Sequence, residues 1–383
     1  MIPYGRQSID ETDIAAVVEV LRSSHLTQGE MAPRFEQAMA HHVGAAHGVA
    51  VNSATSALHI ACLALGLGPG DRLWTVPNTF VASANAGRYC GAEVDFVDID
   101  PRTYNMDPAK LEAKLRAAAE CDRLPKIVVP VHFAGQSCDM RSIHALSKAF
   151  GFRIVEDASH AVGAEYEQCK VGGGRYADVT VFSFHPVKII TTGEGGMALT
   201  QDADLAAHMA RLRSHGITRD PRLMGDMAHG RWSYAQVELG FNYRMTDIQA
   251  ALGVSQLARL DQMLERRRHL AARYDQLLSD LPVTRPWQHP DTLSSWHLYV
   301  VAMPDQLDRR EVFEAMQAQG VGVQVHYIPV HTQPYHRAMG FNVGDFPVAE
   351  RYYKSAFSLP LFPDLSDGEQ YQVVEALRKA LAS

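Results

Sequence analysis

Val181-Phe-Ser-Phe-His-Pro-Val-Lys188-Ile-Ile-Thr-Thr-Gly-Glu-Gly-Gly-Met-Ala198 is the stretch from which the rest of the chain can be read. Phe182 and Phe184 alternate with Ser183, the period of a strand with one buried face. The run delivers a single lysine, Lys188, into a loop of hydroxyls and glycines. Glu194-Gly-Gly frees the backbone there for close approach to something bulky. A lysine on a strand or loop is otherwise a solvated surface charge. Partly desolvated, it is disfavoured in its charged form and becomes an amine able to make a Schiff base.

Upstream, Arg153-Ile-Val-Glu-Asp157-Ala-Ser-His-Ala reads as a buried strand. Glu156 and Asp157 lie at its carboxyl end, where α/β sheets place their ligands; an aspartate there serves equally well as a cap for the next turn. Further back, the short strand Gly48-Val-Ala-Val-Asn runs into Ser53-Ala-Thr-Ser-Ala-Leu, which opens a helix. Small and hydroxyl residues at a helix N-terminus aim free N–H groups at one spot, which suits a phosphate, or simply make an N-cap. Between these stretches, strand patterns at 72–77, 94–99 and 126–131 alternate with helical ones at 80–90, 108–118 and 142–150. Such alternation implies βαβ units and a mostly parallel sheet.

The ends of the chain fit around this α/β centre. Residues 1–30 form an N-terminal arm with a helix from Ser8 through Leu21, and a second amphipathic helix starts at Pro33. The large domain runs over 31–245. A helical pattern from Asp247 to about Leu278 then opens a smaller α+β domain over 246–383, with strands at 296–303 and 321–327 and helices at 309–319, 348–354 and 368–381.

With 383 residues, 46% apolar and 21% charged, the chain can bury two domains' worth of core. A net charge of −7 leaves no basic footprint for nucleic acid or an acidic membrane surface, and Arg266-Arg267-Arg268 reads as one exposed helix segment. Five cysteines include no Cys-x-x-Cys pair, and no charged-then-apolar segment opens the sequence, which fits a reducing cytoplasm. No apolar run reaches the roughly 18 residues of a membrane helix. His326, His331 and His336 match no common ligand spacing and His-Glu-x-x-His is absent, so no metal is expected. Gly172-Gly-Gly follows no clean strand and opens no helix, against a dinucleotide loop.

A phosphate-sized cup near Ser53 to Ser56, an acid at Asp157 and an amine at Lys188 together match what pyridoxal phosphate requires. The lysine binds the cofactor as a Schiff base, and the acid keeps the pyridine nitrogen protonated so that the ring acts as an electron sink. An aromatic face covers the ring. Phe80, in Pro77-Asn-Thr-Phe-Val-Ala, is the candidate for that face, or else an ordinary core aromatic.

Seven motifs, in order, carry a resemblance: Leu26-Thr-Gln-Gly, Asn52-Ser-Ala-Thr-Ser-Ala-Leu, Glu156-Asp-Ala-Ser-His-Ala, Ser183-Phe-His-Pro-Val-Lys-Ile-Ile-Thr-Thr-Gly-Glu-Gly-Gly, Arg213-Ser-His-Gly, Gly240-Phe-Asn-Tyr-Arg-Met-Thr-Asp-Ile-Gln-Ala-Ala-Leu-Gly and Val325-His-Tyr-Ile-Pro-Val-His. Over nearly its whole length the chain resembles the sugar-nucleotide aminotransferases of the DegT/StrS type, within the fold-type I pyridoxal-phosphate enzymes. The resemblance implies a mostly parallel, seven-stranded type of sheet in the large domain. It makes Lys188 the Schiff-base lysine, Asp157 the pyridinium partner, His160 the neighbour of the cofactor's phenolic oxygen and Phe80 the stacking ring. Much of the family carries Gln where His160 stands here. Ala54, Thr55 and Ser183 would hold the phosphate, with Asn242 reaching in from the other subunit of a homodimer, so that the sites are shared.

The likeness is greatest to enzymes that aminate carbon 4 of a UDP-linked 4-keto-6-deoxy-N-acetylhexosamine on the route to pseudaminic acid, with L-glutamate as donor. By that analogy Tyr4, Ser24, His25, Leu26 and Thr27 line the sugar-nucleotide pocket together with Gln324, Val325, His326 and Tyr327. Branches making perosamine, bacillosamine-type or legionaminic-acid precursors carry similar motifs. A non-catalytic binding or regulatory member of the fold would have no use for the amine of Lys188, and a dehydratase relative replaces that lysine with histidine.

Overall fold

The loop that carries Lys188 is held between two neighbouring strands of a seven-stranded sheet, and the sheet decides what that lysine meets. The computed structural model describes residues 1–227 and 229–382. Across the sheet the strands follow the order His47–Val51, Gly196–Thr200, Val179–Ser183, Arg153–Asp157, Ile127–Val128, Arg72–Thr75 and Glu93–Phe96. Six run in one direction; Gly196–Thr200 alone runs against them. The fold is therefore the α/β, mostly parallel architecture that the alternation implied. Val179–Ser183 and Gly196–Thr200 are buried at every position, as sheets covered on both faces require.

Register brings the key residues to one edge. Asp157 pairs with Val181 across the parallel ladder, and Ser183 pairs with Gly196 across the antiparallel one. Residues 184–195 close between these strands. Beneath them, Phe182 and Phe184 are fully buried, and Phe184 packs on Phe35 with ring centroids 5.0 Å apart. Truncating such a ring to alanine costs about 3–5 kcal/mol, so this packing anchors the loop where it leaves Val179–Ser183.

Helices form where their caps allow. The N-terminal helix, Glu11–Arg22, starts at a capping box of Asp10 and Asp13. Ser53 caps Ala54–Ala64 by accepting from the Ser56 N–H, and Asp107 with Pro108 starts Pro108–Glu120. A separate core lies towards the C-terminus, where Leu270, Tyr274, Tyr299, Val301, Phe357 and Leu377 pack together. It is built on the antiparallel pair Tyr299–Ala302 and Ala356–Leu359 and on the helices Leu260–Leu277, Arg309–Ala318 and Asp367–Ala382.

Three expectations are corrected. The single helix expected from Asp247 to about Leu278, as the bridge that begins the C-terminal domain, is two helices, Asp247–Ala258 and Leu260–Leu277, interrupted at Arg259. The first packs on Glu11–Arg22 and Met31–Val43, the second on Asp367–Ala382. At the break the guanidinium of Arg259 binds Asp13 and the Ser8 carbonyl in the N-terminal arm. Residues 321–327 form no strand; Val321 and Gln324 make isolated bridges to Ile2 and Ser358. The Arg266–Arg268 triplet is not uniformly exposed. Arg267 is 1% accessible, because its guanidinium donates to the carbonyls of Trp296, His297 and Leu361 at 3.2, 3.4 and 3.0 Å.

Candidate active site

At the carboxyl ends of the parallel strands opens a cavity of ≈ 910 Å³. Its lining brings together Tyr4, Ala54, Thr55, Phe80, Asp157, His160, Ser183, Lys188 and the segment 324–327, twelve of the residues singled out from the sequence. Ser24, His25, Leu26, Thr27 and Asn242 lie away from this lining. Leu26 and Thr27 join residues 246–247 through backbone bonds, and Asn242 is exposed, bridged to Ser214.

The cup is the first turn of Ala54–Ala64. Ser53 and Ser56 spend their hydroxyls on each other and on Asn52, at 3.0 and 2.7 Å. Ala54 and Thr55 line the cavity, and as the first residues of the helix their N–H groups have no partner within it. The glycine pair explains how this turn comes so close to the lysine loop. A Cβ on Gly196 would lie 2.5 Å from the Ala54 nitrogen and 2.6 Å from the Ser53 carbonyl carbon. The bulky neighbour that Gly196 admits is thus the backbone of the cup itself, whereas Gly195 makes room for the side chains of Thr192 and Met245.

Asp157 ends its strand buried. Its Oδ2 accepts from the Ser83 hydroxyl at 2.6 Å and its Oδ1 from the Ser159 N–H at 3.1 Å. The Lys188 amine makes no hydrogen bond among the described residues. Burial lowers its pKa to about 8, against the opposing pull of Asp157. A neutral amine is therefore available near physiological pH, as nucleophile and as proton carrier.

Opposite stands a group of neutral imidazoles. Burial, reinforced by the charge of Lys188, pushes His160 well below the ordinary histidine range and His326 down to about 3. His297, which sequence reasoning missed, is depressed by burial and by His160. Ala134 N–H donates to His160 Nδ1 at 3.2 Å, so the neutral ring carries its hydrogen on Nε2 and donates to the Tyr327 oxygen at 3.0 Å. Tyr327 is in turn left free to offer its own hydroxyl hydrogen to the cavity. The neighbouring His326 is pinned by Ser358 at 2.8 Å and by the Tyr352 hydroxyl on its carbonyl at 2.7 Å. His331 and His336 are buried elsewhere, His331 against Glu350 at 2.9 Å.

Phe80 projects into the cavity 59% exposed, which suits a ring held ready to cover a planar partner. The sequence reading also missed Glu194 and Gln249 on the rim and Ser83 behind Asp157. The first two sat in quoted motifs but gave no sign of facing the pocket.

An unpartnered amine, a carboxylate across from it, a cup of free N–H groups and an exposed aromatic face define a cofactor-dependent enzyme of amine chemistry. The profile of the DegT/DnrJ/EryC1/StrS aminotransferase family matches residues 7–378, and the chain belongs to that family. It is 41% identical to the Bacillus subtilis spore coat polysaccharide biosynthesis protein SpsC, over 98% of this chain and 96% of that one. With the UDP-4-amino-4,6-dideoxy-N-acetyl-beta-L-altrosamine transaminase of Campylobacter jejuni it shares 38% identity, covering 96% and 94%. Among solved structures, Helicobacter pylori PseC, an aminotransferase of pseudoaminic acid biosynthesis, superposes with a TM-score of 0.91 at 32% identity, covering 100% and 99%. The protein is a sugar aminotransferase and its cofactor is pyridoxal phosphate. That group supplies, when bound, the electron sink for moving an amino group between a donor and a keto sugar. No helix among the described residues is long and apolar enough to cross a membrane.

Proposed function

We propose that the enzyme moves the amino group of L-glutamate to carbon 4 of a UDP-linked 4-keto-6-deoxy-N-acetylhexosamine, as on the route to pseudaminic acid. The observation that carries this reading is the chemistry of the pocket wall. Tyr4, Gln324, Tyr327 and the neutral His160, His297 and His326 offer hydroxyl, amide and imidazole groups around Lys188, and among the described residues the lining holds no arginine and no second lysine. Such a wall suits an uncharged sugar ring at the reacting carbon, with the diphosphate lying further out. The names of the Campylobacter transaminase and of PseC support the same substrate class.

In this reading Lys188 would hold the cofactor through its amine, and that amine, neutral in part near physiological pH, would serve as the proton carrier of the transfer. Asp157 would pair with the pyridine nitrogen, Phe80 would cover the ring, and His160 with Tyr327 would neighbour the phenolic oxygen. Ala54, Thr55 and Ser183 hold the phosphate. Asn242 completes that cup from a second copy of the chain, and Ser24–Thr27 complete the substrate wall. A homodimer is supported by the segment leading to Asn242, where Leu223, Met227, Trp232, Tyr234, Val237 and Leu239 stand exposed, an apolar surface of the kind that marks an interface. A second reading, amination at carbon 4 of a different nucleotide sugar, is favoured by the likeness to SpsC, named for spore coat polysaccharide.

The test is a panel of UDP-, GDP- and dTDP-linked 4-keto sugars offered with glutamate, with each aminated product identified by NMR. Preference for a GDP- or dTDP-linked sugar would move the assignment to the second reading. The shared site is tested by mixing inactive Lys188→Ala and Asn242→Ala dimers. Subunit exchange should return activity towards half of wild type per heterodimer, and mixing that restores nothing would return Asn242 to its own chain's site.

A further inference from the structure

Asp157 sits at the end of a directed chain of hydroxyls. Its Oδ2 accepts from Ser83 Oγ at 2.6 Å. Because the serine hydrogen is committed to the carboxylate, the 2.8 Å contact between Thr79 Oγ1 and Ser83 Oγ has Thr79 as donor. The Thr79 O–H therefore points at Ser83, and the Ser83 O–H at Asp157. Thr79 is 2% accessible, Ser83 0% and Asp157 5%, so water does not compete for these bonds. The other carboxylate oxygen takes one backbone N–H, from Ser159. No lysine, arginine or histidine side chain hydrogen-bonds the Asp157 carboxylate among the described residues.

That choice of partners has a chemical meaning. A buried carboxylate must be hydrogen-bonded to stay tolerable in a low dielectric. A fixed arginine would do this, but it would also neutralise the carboxylate and compete with any cation brought into the cavity. Hydroxyl and amide dipoles steady the group and fix its rotamer while leaving its net charge directed at the pocket. Thr79 precedes Phe80, whose ring stands exposed in the cavity. Ser83 lies in the first turn of Ala82–Tyr89. The chain thus couples the loop that presents the aromatic face to the strand end that presents the charge.

We propose that Thr79 and Ser83 are positioning residues, a two-hydroxyl relay that orients Asp157 toward the ring nitrogen of the bound cofactor and sets how firmly that ring is held. The proposal rests on the reading of Asp157 as the partner of that nitrogen, and its test is arranged to separate the two.

Four variants are compared with wild type: Ser83→Ala, Thr79→Val, Thr79→Ser and Asp157→Asn. Valine has the shape of threonine without its hydroxyl, whereas serine keeps the hydroxyl and drops the methyl group. Three quantities are read: the dissociation constant of pyridoxal phosphate from apoenzyme, the pH titration of the visible absorbance of the loaded enzyme, and kcat separately from KM. Loss of one hydrogen bond to a charged group corresponds to about a tenfold change or more. Ser83→Ala is therefore expected to raise the cofactor dissociation constant and lower kcat by about tenfold, with KM for the sugar within about twofold, and to shift the absorbance titration. Thr79→Val should move the same quantities in the same direction by about threefold, and Thr79→Ser should match wild type. A role confined to stability would lower the melting temperature and leave the titration and the dissociation constant where they are, and that outcome overturns the relay. So does a Thr79→Ser enzyme as impaired as Thr79→Val, which would assign the effect to the lost methyl group. If Ser83→Ala does not fold, the Thr79 pair alone decides. Normal values in Asp157→Asn would instead remove the reading beneath the proposal, whatever the hydroxyl variants do.

Discussion

The depressed pKa of Lys188 can be measured on the apoenzyme, with no cofactor to complicate the chemistry. Only a neutral amine reacts with a small uncharged acylating reagent, so the rate of labelling follows the neutral fraction of each lysine. For Lys188 burial lowers the pKa from 10.5 to about 8. At pH 7 about a tenth of it is then neutral, about 300-fold more than for a lysine left at the ordinary value. Competitive acetylation with trace acetic anhydride, quantified by mass spectrometry on the peptide containing Lys188 with the surface Lys148 as internal standard, gives the profile. Labelling of Lys188 should rise about tenfold per pH unit up to about 8 and then level off. The sign of the carboxylate's influence offers a second check. Asp157 favours the charged amine, so Asp157→Asn should move the plateau to lower pH. A rate that climbs without a break past pH 9.5, or a plateau that moves upward in Asp157→Asn, refutes the reasoning that burial leaves this amine poised.

In turnover, Asp157→Asn should keep its circular dichroism spectrum and lose about 10²- to 10³-fold in kcat, the scale of removing one preorganised polar group; near-normal rates would take the charge out of the reaction. Arg267→Ala leaves the carbonyls of Trp296, His297 and Leu361 without their buried donor, and urea denaturation should report a loss of about 3 kcal/mol or more; a loss under about 1 kcal/mol would mean that water replaces the guanidinium. Gly196→Ala drives a methyl group into the Ser53–Ala54 backbone, so the apoenzyme should bind pyridoxal phosphate at least about tenfold more weakly in a fluorescence titration, and unchanged affinity would show that the cup can shift at no expense.

The sheet and the heart of the pocket were legible because each rests on a local pattern. Val179–Ser183 and Arg153–Asp157 are apolar runs ending in polar residues, and in an α/β sheet such ends meet at one edge. What escaped the reading lacked a pattern or needed a partner. Ser83 is one hydroxyl among the small residues of a short helix, and nothing in its neighbours points to a carboxylate 74 positions away. Arg259 breaks a helix with neither proline nor glycine; its side chain is drawn to acids of the N-terminal arm. Arg267 was legible in principle. It falls on the stripe of Leu260, Met263, Leu264, Leu270, Ala271 and Tyr274, and helical period alone places it inward. Three consecutive arginines mask that stripe in the sequence. Asn242 and the segment Ser24–Thr27 pair with Ser214 and, through Leu26 and Thr27, with residues 246–247 of their own chain rather than with its cavity, and in the proposed reading Asn242 serves the cavity of a second copy.

The bridge between Ile2 and Val321, with the bond from Leu361 N–H to the Tyr4 carbonyl, has a consequence for how such an enzyme can diversify. Tyr4 and the segment 324–327 line one wall of the cavity, yet they come from opposite ends of the gene, and neither belongs to the sheet that carries Lys188 and Asp157. The wall can drift in sequence while the reactive centre stays fixed, but the two ends cannot drift independently, because the Tyr4 ring packs on the His326 imidazole with centroids 5.5 Å apart. A graft of residues 320–328 from a relative onto this chain would leave a foreign edge against the native arm. Exchanged with the first few residues, the same segment travels as a matched cassette, the unit in which a new sugar preference could be inherited.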